Sequence, residues 1–158
     1  MAGENRDPAI EALKLADVAR EAAYALKAAH PGVSFTSGRR ERRDQCRAMA
    51  QNVATERGWI QATYKASPVR EALQAWVDTH PEAISVLALT DGLLSALNAL
   101  PNADVAKFSK HLTGEAFDVQ PLPDGATAEA IKATIRGLPG LVQFLEKEGS
   151  KVRWHAGF

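Results

Sequence analysis

The sequence contains a single cysteine, Cys46, among its 158 residues. One thiol excludes an internal disulfide, so the fold cannot depend on covalent cross-links of that kind. This cysteine usage fits a reducing compartment or a short-lived role outside the cytoplasm. Met49, Ala50 and Val53 follow Cys46 at helical spacing. This pattern predicts a helix with Cys46 on its buried face.

Long hydrophobic runs and an excess of charge are also absent. No run reaches the roughly 18 apolar residues that suggest a membrane span, and residues 1–8 are polar. We therefore expect no membrane insertion and no signal peptide, and synthesis in the cytoplasm. Nineteen Lys and Arg balance nineteen Asp and Glu, giving a formal net charge of zero. That balance excludes global electrostatic attraction to nucleic acid or to an anionic membrane.

Internal repeats, low-complexity stretches and a recognisable linker are missing too. The length predicts a single domain over residues 1–158, with an N-terminal helix in 1–32 and the candidate functional residues in 33–158. We expect this domain to be a monomer. Hydrophobic periodicity, proline and glycine predict helices at residues 8–29, 46–57, 68–79, 84–100, 127–137 and 141–148. Alternating patterns predict strands at residues 33–37, 115–119 and 151–157. The fold class is therefore α+β, with a small, mainly antiparallel sheet surrounded by about five or six helices.

The segment around His111 and Asp118 is the main candidate for function. In a helix the two side chains would lie about 10 Å apart along the axis, too far to share a metal ion. Gly114 lies between them, and Pro121 and Pro123 follow. These residues disfavour a helix and predict a loop that turns into a strand at residues 115–119.

Strand alternation then separates the side chains of this segment into two faces. Ala116 and Asp118 lie on one face, while Phe117 and Val119 lie on the other and are expected in the core. Ala116 leaves room beside the carboxylate for an ion. A further histidine, His155, lies close to the C-terminus.

Three blocks of the sequence resemble a known family of zinc peptidases. Residues 109–118 match the pattern Ser-x-His-x-x-Gly-x-Ala-x-Asp, the signature of the M15 family. That family contains D-alanyl-D-alanine carboxypeptidases and dipeptidases as well as phage endolysins. Trp154-His155 is similar to its Trp-His motif. Residues 36–40, with Gln45, are similar to its Ser-Gly-Tyr-Arg…Gln stretch, although Arg39 stands where a tyrosine is usual. The resemblance covers residues 33–158.

The resemblance implies a hedgehog/DD-peptidase-like fold and a role for each matching residue. His111, Asp118 and His155 would bind Zn²⁺ and leave a fourth position for water or a substrate carbonyl. The metal would lower the pKa of that water and polarise the scissile carbonyl. Arg40 would stabilise charge on the substrate or transition state. Ser109 and Trp154, together with Arg40, would contact the substrate.

One position departs from the family pattern. The family usually has an acidic residue three positions before the last histidine, where it serves as general base. This chain has Val152 there, which cannot accept a proton. Glu148 is the first candidate to replace that base, and Glu146 is the second. A site without a base would be slower by roughly 10²–10⁴-fold.

These features together lead to one functional hypothesis and two alternatives. The resemblance implies a zinc peptidase that cleaves the stem peptides of bacterial peptidoglycan. We expect a phage or prophage endolysin or a virion-associated lysin, which acts at the cell wall after release from the cytoplasm or from a virion. The bond could be L-alanyl-D-glutamate or a D-amino-acid cross-link. One alternative is a catalytically impaired, zinc-binding module of the same fold that binds cell walls or takes part in assembly. The other is a helical domain without metal.

Overall fold

The structure, a computed structural model, describes residues 6–148 and 151–158. Their elements follow in chain order: α1 (Pro8–Glu11), α2 (Asp17–Ala29), β1 (Phe35–Ser37), α3 (Arg42–Val53), α4 (Trp59–Thr63), α5 (Pro68–Thr79), α6 (Val86–Asn98), α7 (Asn102–Phe108), a one-turn 3-10 helix (Lys110–Leu112), β2 (Ala116–Val119), α8 (Ala126–Arg136), β3 (Gln143–Glu148) and β4 (Lys151–Gly157). The predicted α+β class is confirmed. The helices in the described part of the chain outnumber the five or six expected, and the sheet has one strand more than predicted.

The chain divides into two compact units, each with its own hydrophobic core. One contains the residues up to Arg39 together with Thr113–Phe158, and the other contains Arg40–Leu112. The first unit carries α1, α2, α8 and the sheet. The second is helical, with α3, α4, α5, α6, α7 and the 3-10 helix. The expectation of a single domain for the whole chain stays a prediction.

The sheet of the first unit has the strand order β1-β2-β4-β3. Every neighbouring pair in it is antiparallel. In this ladder, Asp118 on β2 lies directly opposite His155 on β4. Side chains of directly paired residues in an antiparallel sheet project to the same face. The topology therefore places two of the three predicted ligands side by side.

The core of the first unit confirms the predicted alternation along β2. Phe117 and Val119 belong to this core, at 0% and 1% exposure. Phe117 makes edge-to-face contact with Phe35 at a centroid distance of 5.2 Å. It also packs on Phe158 at 5.3 Å. With these aromatic rings holding one face of β2 against the core, Asp118 is left on the opposite face.

The predicted helix at residues 141–148 is wrong. Residues Gln143–Glu148 form β3, which pairs with β4 from Gln143↔Gly157 to Glu148↔Lys151. The spacing of Leu141, Phe144 and Leu145 also fits a helix. Backbone hydrogen bonding to β4 stabilises this segment as a strand, and this pairing outweighs the weak helical pattern of its sequence.

The predicted helix at residues 8–29 is also wrong in its continuity, because the chain breaks between α1 and α2. Lys14 has a φ of 52°, outside the helical region. Its carbonyl accepts a hydrogen bond from Arg39 Nε at 2.8 Å, and the Leu13 carbonyl accepts one from the Arg39 amide at 2.9 Å. These hydrogen bonds from Arg39, which is distant in sequence, stabilise the break between α1 and α2. Helices α4 and α7 were not predicted.

The second unit is built around an apolar core that all five of its α-helices supply. Leu89, Leu93 and Leu97 of α6 are each 0% exposed, and Cys46 on α3 is 0% exposed as predicted. Helix α5 begins as expected, with Ser67 Oγ accepting from the Arg70 amide and Pro68 in the first turn. None of the helices in the described residues combines the length and the apolar character needed to cross a membrane.

Candidate metal centre

His111 lies in the 3-10 turn that follows α7. The turn is closed by a hydrogen bond from the Leu112 amide to the Ser109 carbonyl at 3.0 Å. The His111 carbonyl accepts from the Arg40 amide at 2.8 Å. The histidine residue is 3% exposed. The turn itself and the hydrogen bond from the Arg40 amide therefore both fix the backbone of His111.

Gly114 allows the chain to turn from His111 into β2. Its φ is +76°, a conformation that residues with a side chain rarely adopt. A Cβ added at this position would lie 2.8 Å from Arg39 Nη2 and 3.0 Å from the Ala16 amide nitrogen. That amide donates to the Gly114 carbonyl at 2.9 Å. Both the backbone angle and the available space therefore require glycine here.

Asp118 and His155 are held next to each other by the β2–β4 ladder. His155 Nδ1 lies 2.9 Å from Asp118 Oδ1, within hydrogen-bonding distance. Asp118 is 2% exposed and His155 is 9% exposed. A carboxylate at this depth is costly unless an opposite charge, a metal ion or hydrogen bonds compensate it.

Donor atoms of the three predicted ligands lie close together in the structure. His111, Asp118 and His155 each offer a nitrogen or oxygen atom, and these atoms all lie within 4.8 Å of one another. All three residues are buried. This group could hold a metal ion. Two imidazoles and one carboxylate are a donor set that some zinc sites of other proteins use.

Glu148 lies beside this cluster, whereas Glu146 points elsewhere. Glu148 Oε1 is 3.5 Å from His155 Nδ1. Glu146 instead forms ion pairs with Lys132 at 2.7 Å and Arg136 at 2.8 Å, both on α8. Residues two apart on a regular strand share a face, so these two carboxylates would point the same way.

The register of the β3–β4 pair explains why Glu146 and Glu148 point in different directions. The β3–β4 ladder shifts between Leu145 and Lys147, just where Glu146 stands. Such irregularities twist a strand and redirect the side chains beyond it. The shift separates Glu148 from Glu146 and leaves Glu148 next to the histidine. Val152, at the position where the family has its acid, is 60% exposed.

Arg153 is a neighbour of the site that the sequence did not single out. Its Nη1 lies 3.7 Å from Glu148 Oε2, and the side chains are 30% and 15% exposed respectively. The ion pair holds the second oxygen of the carboxylate whose first oxygen faces His155. Alternation along β4 could have identified this residue, because Arg153 lies two positions before His155 and therefore on the same face of the strand.

The remaining predicted site residues occupy different environments. Ser109 is 9% exposed and is the C-cap residue of α7. Arg40 is half-buried, and its Nη1 donates to Gln45 Oε1 at 3.3 Å. Trp154 is 1% exposed within the first core, with Lys132 Nζ 5.5 Å from its ring centroid. Trp154 packs in this core, and its predicted substrate contact stays a prediction.

Comparisons with protein-family models, curated proteins and solved structures gave no match for this chain.

Proposed function

We propose that the protein is a zinc-dependent peptidase. One observation carries the proposal: donor atoms of His111, Asp118 and His155 lie within 4.8 Å of one another in a buried cluster. A carboxylate that is not part of this ligand set, that of Glu148, lies 3.5 Å from His155 Nδ1. Three ligands and an adjacent carboxylate that is not itself a ligand are the groups that a metal-assisted hydrolase requires.

Each residue then has a part in hydrolysis. Zinc held by the three ligands would supply Lewis-acid polarisation of a carbonyl and acidify a water molecule. Glu148 would accept the proton of the attacking water and pass it to the nitrogen of the leaving amine. Arg153 would hold the second oxygen of Glu148. Arg40 would bind the negative charge that develops on the substrate, a task suited to its fixed fork of donors.

The substrate and setting rest on the motif resemblance. The pattern over residues 109–118 is similar to that of enzymes acting on peptides with D-amino acids. We therefore propose the stem peptide of peptidoglycan as substrate, a hedgehog/DD-peptidase-like fold, and the role of a phage or prophage lysin. Access to the cell wall would follow release from the cell or delivery on a virion.

Digestion of purified sacculi tests this function, with two glutamate variants as a matched pair. The zinc-loaded parent is expected to release soluble muropeptides, detected by mass spectrometry. Glu148→Gln removes the proposed base, so the rate should fall by roughly 10²–10⁴-fold while bound zinc stays stoichiometric. Glu146→Gln, two residues away and paired with α8 instead, should keep nearly full activity.

The opposite ranking of the two variants would assign the base to Glu146. A zinc-loaded parent that releases nothing, beside a lysin that digests the same sacculi, would reject the peptidase proposal. Elemental analysis on each sample separates loss of the metal from loss of the base.

A second candidate function is a cell-wall-binding or assembly module that keeps the metal but lacks hydrolysis. Val152 favours it, because an exposed valine occupies the position where the family has its acid. Such a module would sediment with sacculi and leave them intact, and Glu148→Gln would not change its binding. Cleavage by the parent that is abolished in Glu148→Gln would exclude this candidate.

A further inference from the structure

A partly buried chain of polar side chains leads from Arg40 to Tyr64, at the edge of the core of the second unit. Arg40 Nη1 donates to Gln45 Oε1 at 3.3 Å. Gln45 Nε2 in turn donates to the hydroxyl oxygen of Tyr64 at 2.9 Å. Gln45 is 1% exposed on α3. Both ends of the buried amide are therefore used, one toward the arginine and one toward the tyrosine.

The burial of the polar Gln45 side chain needs a physical explanation. A buried amide loses its hydration and regains it only through hydrogen bonds, so an apolar side chain would be less costly at this position. Its neighbours on α3 include the core residues Cys46 and Met49. Buried polar groups that are fully bonded make local structure rigid and specific. Here the Gln45 amide oxygen bonds to the guanidinium group of Arg40.

Tyr64 is itself held in place by aromatic packing. Its ring lies 4.3 Å from the ring of Phe108, centroid to centroid, and 5.8 Å from that of Trp59 in edge-to-face contact. Phe108 ends α7, immediately before the turn that carries His111. The Tyr64 hydroxyl therefore has little freedom to move away from Gln45.

These contacts form a closed circuit. The Arg40 side chain bonds to Gln45, Gln45 bonds to Tyr64, and Tyr64 packs on Phe108. Phe108 leads along the chain to His111, whose carbonyl accepts from the Arg40 amide at 2.8 Å. The circuit connects a candidate substrate-binding arginine with a candidate metal ligand.

We propose that Tyr64 is a positioning residue, which fixes the Arg40 guanidinium through the Gln45 amide. The inference rests on the proposed function in one respect, the part that Arg40 plays in hydrolysis. Arginine has a long, flexible side chain, and a preorganised donor group stabilises developing charge better than a mobile one. Tyr64 would touch neither metal nor substrate and would act only through Arg40.

The first test observes Arg40 directly and needs no activity. The Nε–H group of Arg40, assigned by its loss in Arg40→Lys, is followed by nitrogen-15 relaxation in zinc-free and zinc-loaded protein. Tyr64→Phe keeps the ring but removes the hydroxyl, so Arg40 should become markedly more mobile. Gln45→Met breaks the same chain at its middle and should have the same effect. Tyr24→Phe, whose hydroxyl accepts from the Asp7 amide in the first unit, is the control and should leave Arg40 unchanged.

The second test is a double-mutant cycle on hydrolysis of sacculi. Tyr64→Phe should lower kcat/KM by roughly three- to tenfold, the effect of one hydrogen bond. In an Arg40→Ala background the same change should cost nothing further, because the residue it positions is gone. A purely structural tyrosine would instead give an equal loss in both backgrounds.

The outcomes separate this inference from the proposed function. Unchanged Arg40 mobility in both Tyr64→Phe and Gln45→Met overturns the positioning role, whatever the activity. A parent without hydrolytic activity rejects the peptidase proposal, while the relaxation measurement still decides the inference. Circular dichroism and zinc content of every variant identify any that fails to fold.

Discussion

The burial of Cys46 can be predicted from the residues near it in the sequence. Apolar residues at helical spacing predict its burial, and the structure places it at 0% exposure in the second core. Loss of hydration on burial raises the pKa of its thiol to about 12, and the nearby Arg42 and Arg43 offset this only in part. The thiolate, which is the reactive form, is therefore rare at neutral pH.

The expected consequence is an inert thiol in the folded protein. At about pH 8, a thiol-specific disulfide reagent should leave the native protein unlabelled and should modify one thiol per chain after unfolding in guanidinium. Absorbance of the released chromophore measures both states. Rapid stoichiometric labelling of native protein would show that the thiol is accessible and the core open.

The sequence predicts each candidate ligand residue, but it does not predict which side chains lie next to them. His111, Asp118 and His155 stand in motif positions that the sequence displays openly. From the sequence we rank Glu148 before Glu146 as the general base, but nothing else in the sequence distinguishes the two residues. The register shift of the β3–β4 ladder separates them, and such a shift depends on pairing between strands.

At the scale of single elements, helix α6 shows a close contact that hydrophobicity alone does not reveal. Gly92 lies inside the helix, where glycine normally weakens it. A Cβ at Gly92 would lie 1.8 Å from Cζ2 of Trp76 on α5. The glycine therefore makes room for an indole, and α5 and α6 can approach closely.

Gly92→Ala should accordingly destabilise the protein by about 1–3 kcal/mol or more, although alanine is the better helix former. Urea unfolding followed by circular dichroism measures the change. Gly32→Ala is the control, because no atom lies within 4 Å of an added Cβ there and its φ is outside the left-handed region. A neutral or stabilising Gly92→Ala would mean that Trp76 does not pack against α6 as described.

The contact between α8 and β3 depends on charge and therefore on pH. A hydrogen bond from Lys132, supported by Arg136, lowers the pKa of the Glu146 carboxyl below 4.5. The hydrogen bond to Glu146, together with Glu129, raises the pKa of Lys132 above 10.5. The carboxylate contribution is thus complete above pH 4.5 and is lost as the pH falls through the lowered pKa. The ammonium contribution is lost only when the pH rises beyond 10.5.

Glu146→Gln should therefore lower the free energy of unfolding at about pH 7, and the gap from the parent should narrow at about pH 3. Urea unfolding at both values measures the gap. The exposed Glu82→Gln should show no comparable pH-dependent difference. A gap that stays the same or widens in acid would contradict the assignment of the ion pair to Glu146.

Prediction from sequence succeeded for β2 and β4 and failed for β3, for a common physical reason. Alternation in β2 is strong because Phe117 and Val119 enter a core while Asp118 does not. β3 has a burial pattern with no fully buried residue, so its own sequence does not specify a strand. It becomes a strand because β4 supplies hydrogen-bond partners.

At the scale of the whole molecule, the coarse architecture could be predicted and the connections that shape the site could not. The α+β class and an antiparallel sheet follow from periodicity and turns. The break between α1 and α2 depends on Arg39, distant in sequence, and the circuit from Arg40 through Gln45 to Tyr64 depends on packing among helices. Contacts of this kind are set by tertiary structure, which local patterns do not record.

The proposed peptidase requires that His111, Asp118 and His155, which are distant in sequence, bind one metal ion. Crystals of protein loaded with one equivalent of zinc, measured on both sides of the zinc absorption edge, test it most directly. We expect one anomalous peak per chain, about 2.0–2.2 Å from a nitrogen of His111, an oxygen of Asp118 and a nitrogen of His155. No peak at these residues, or a zinc ion bound elsewhere on the chain, would contradict it.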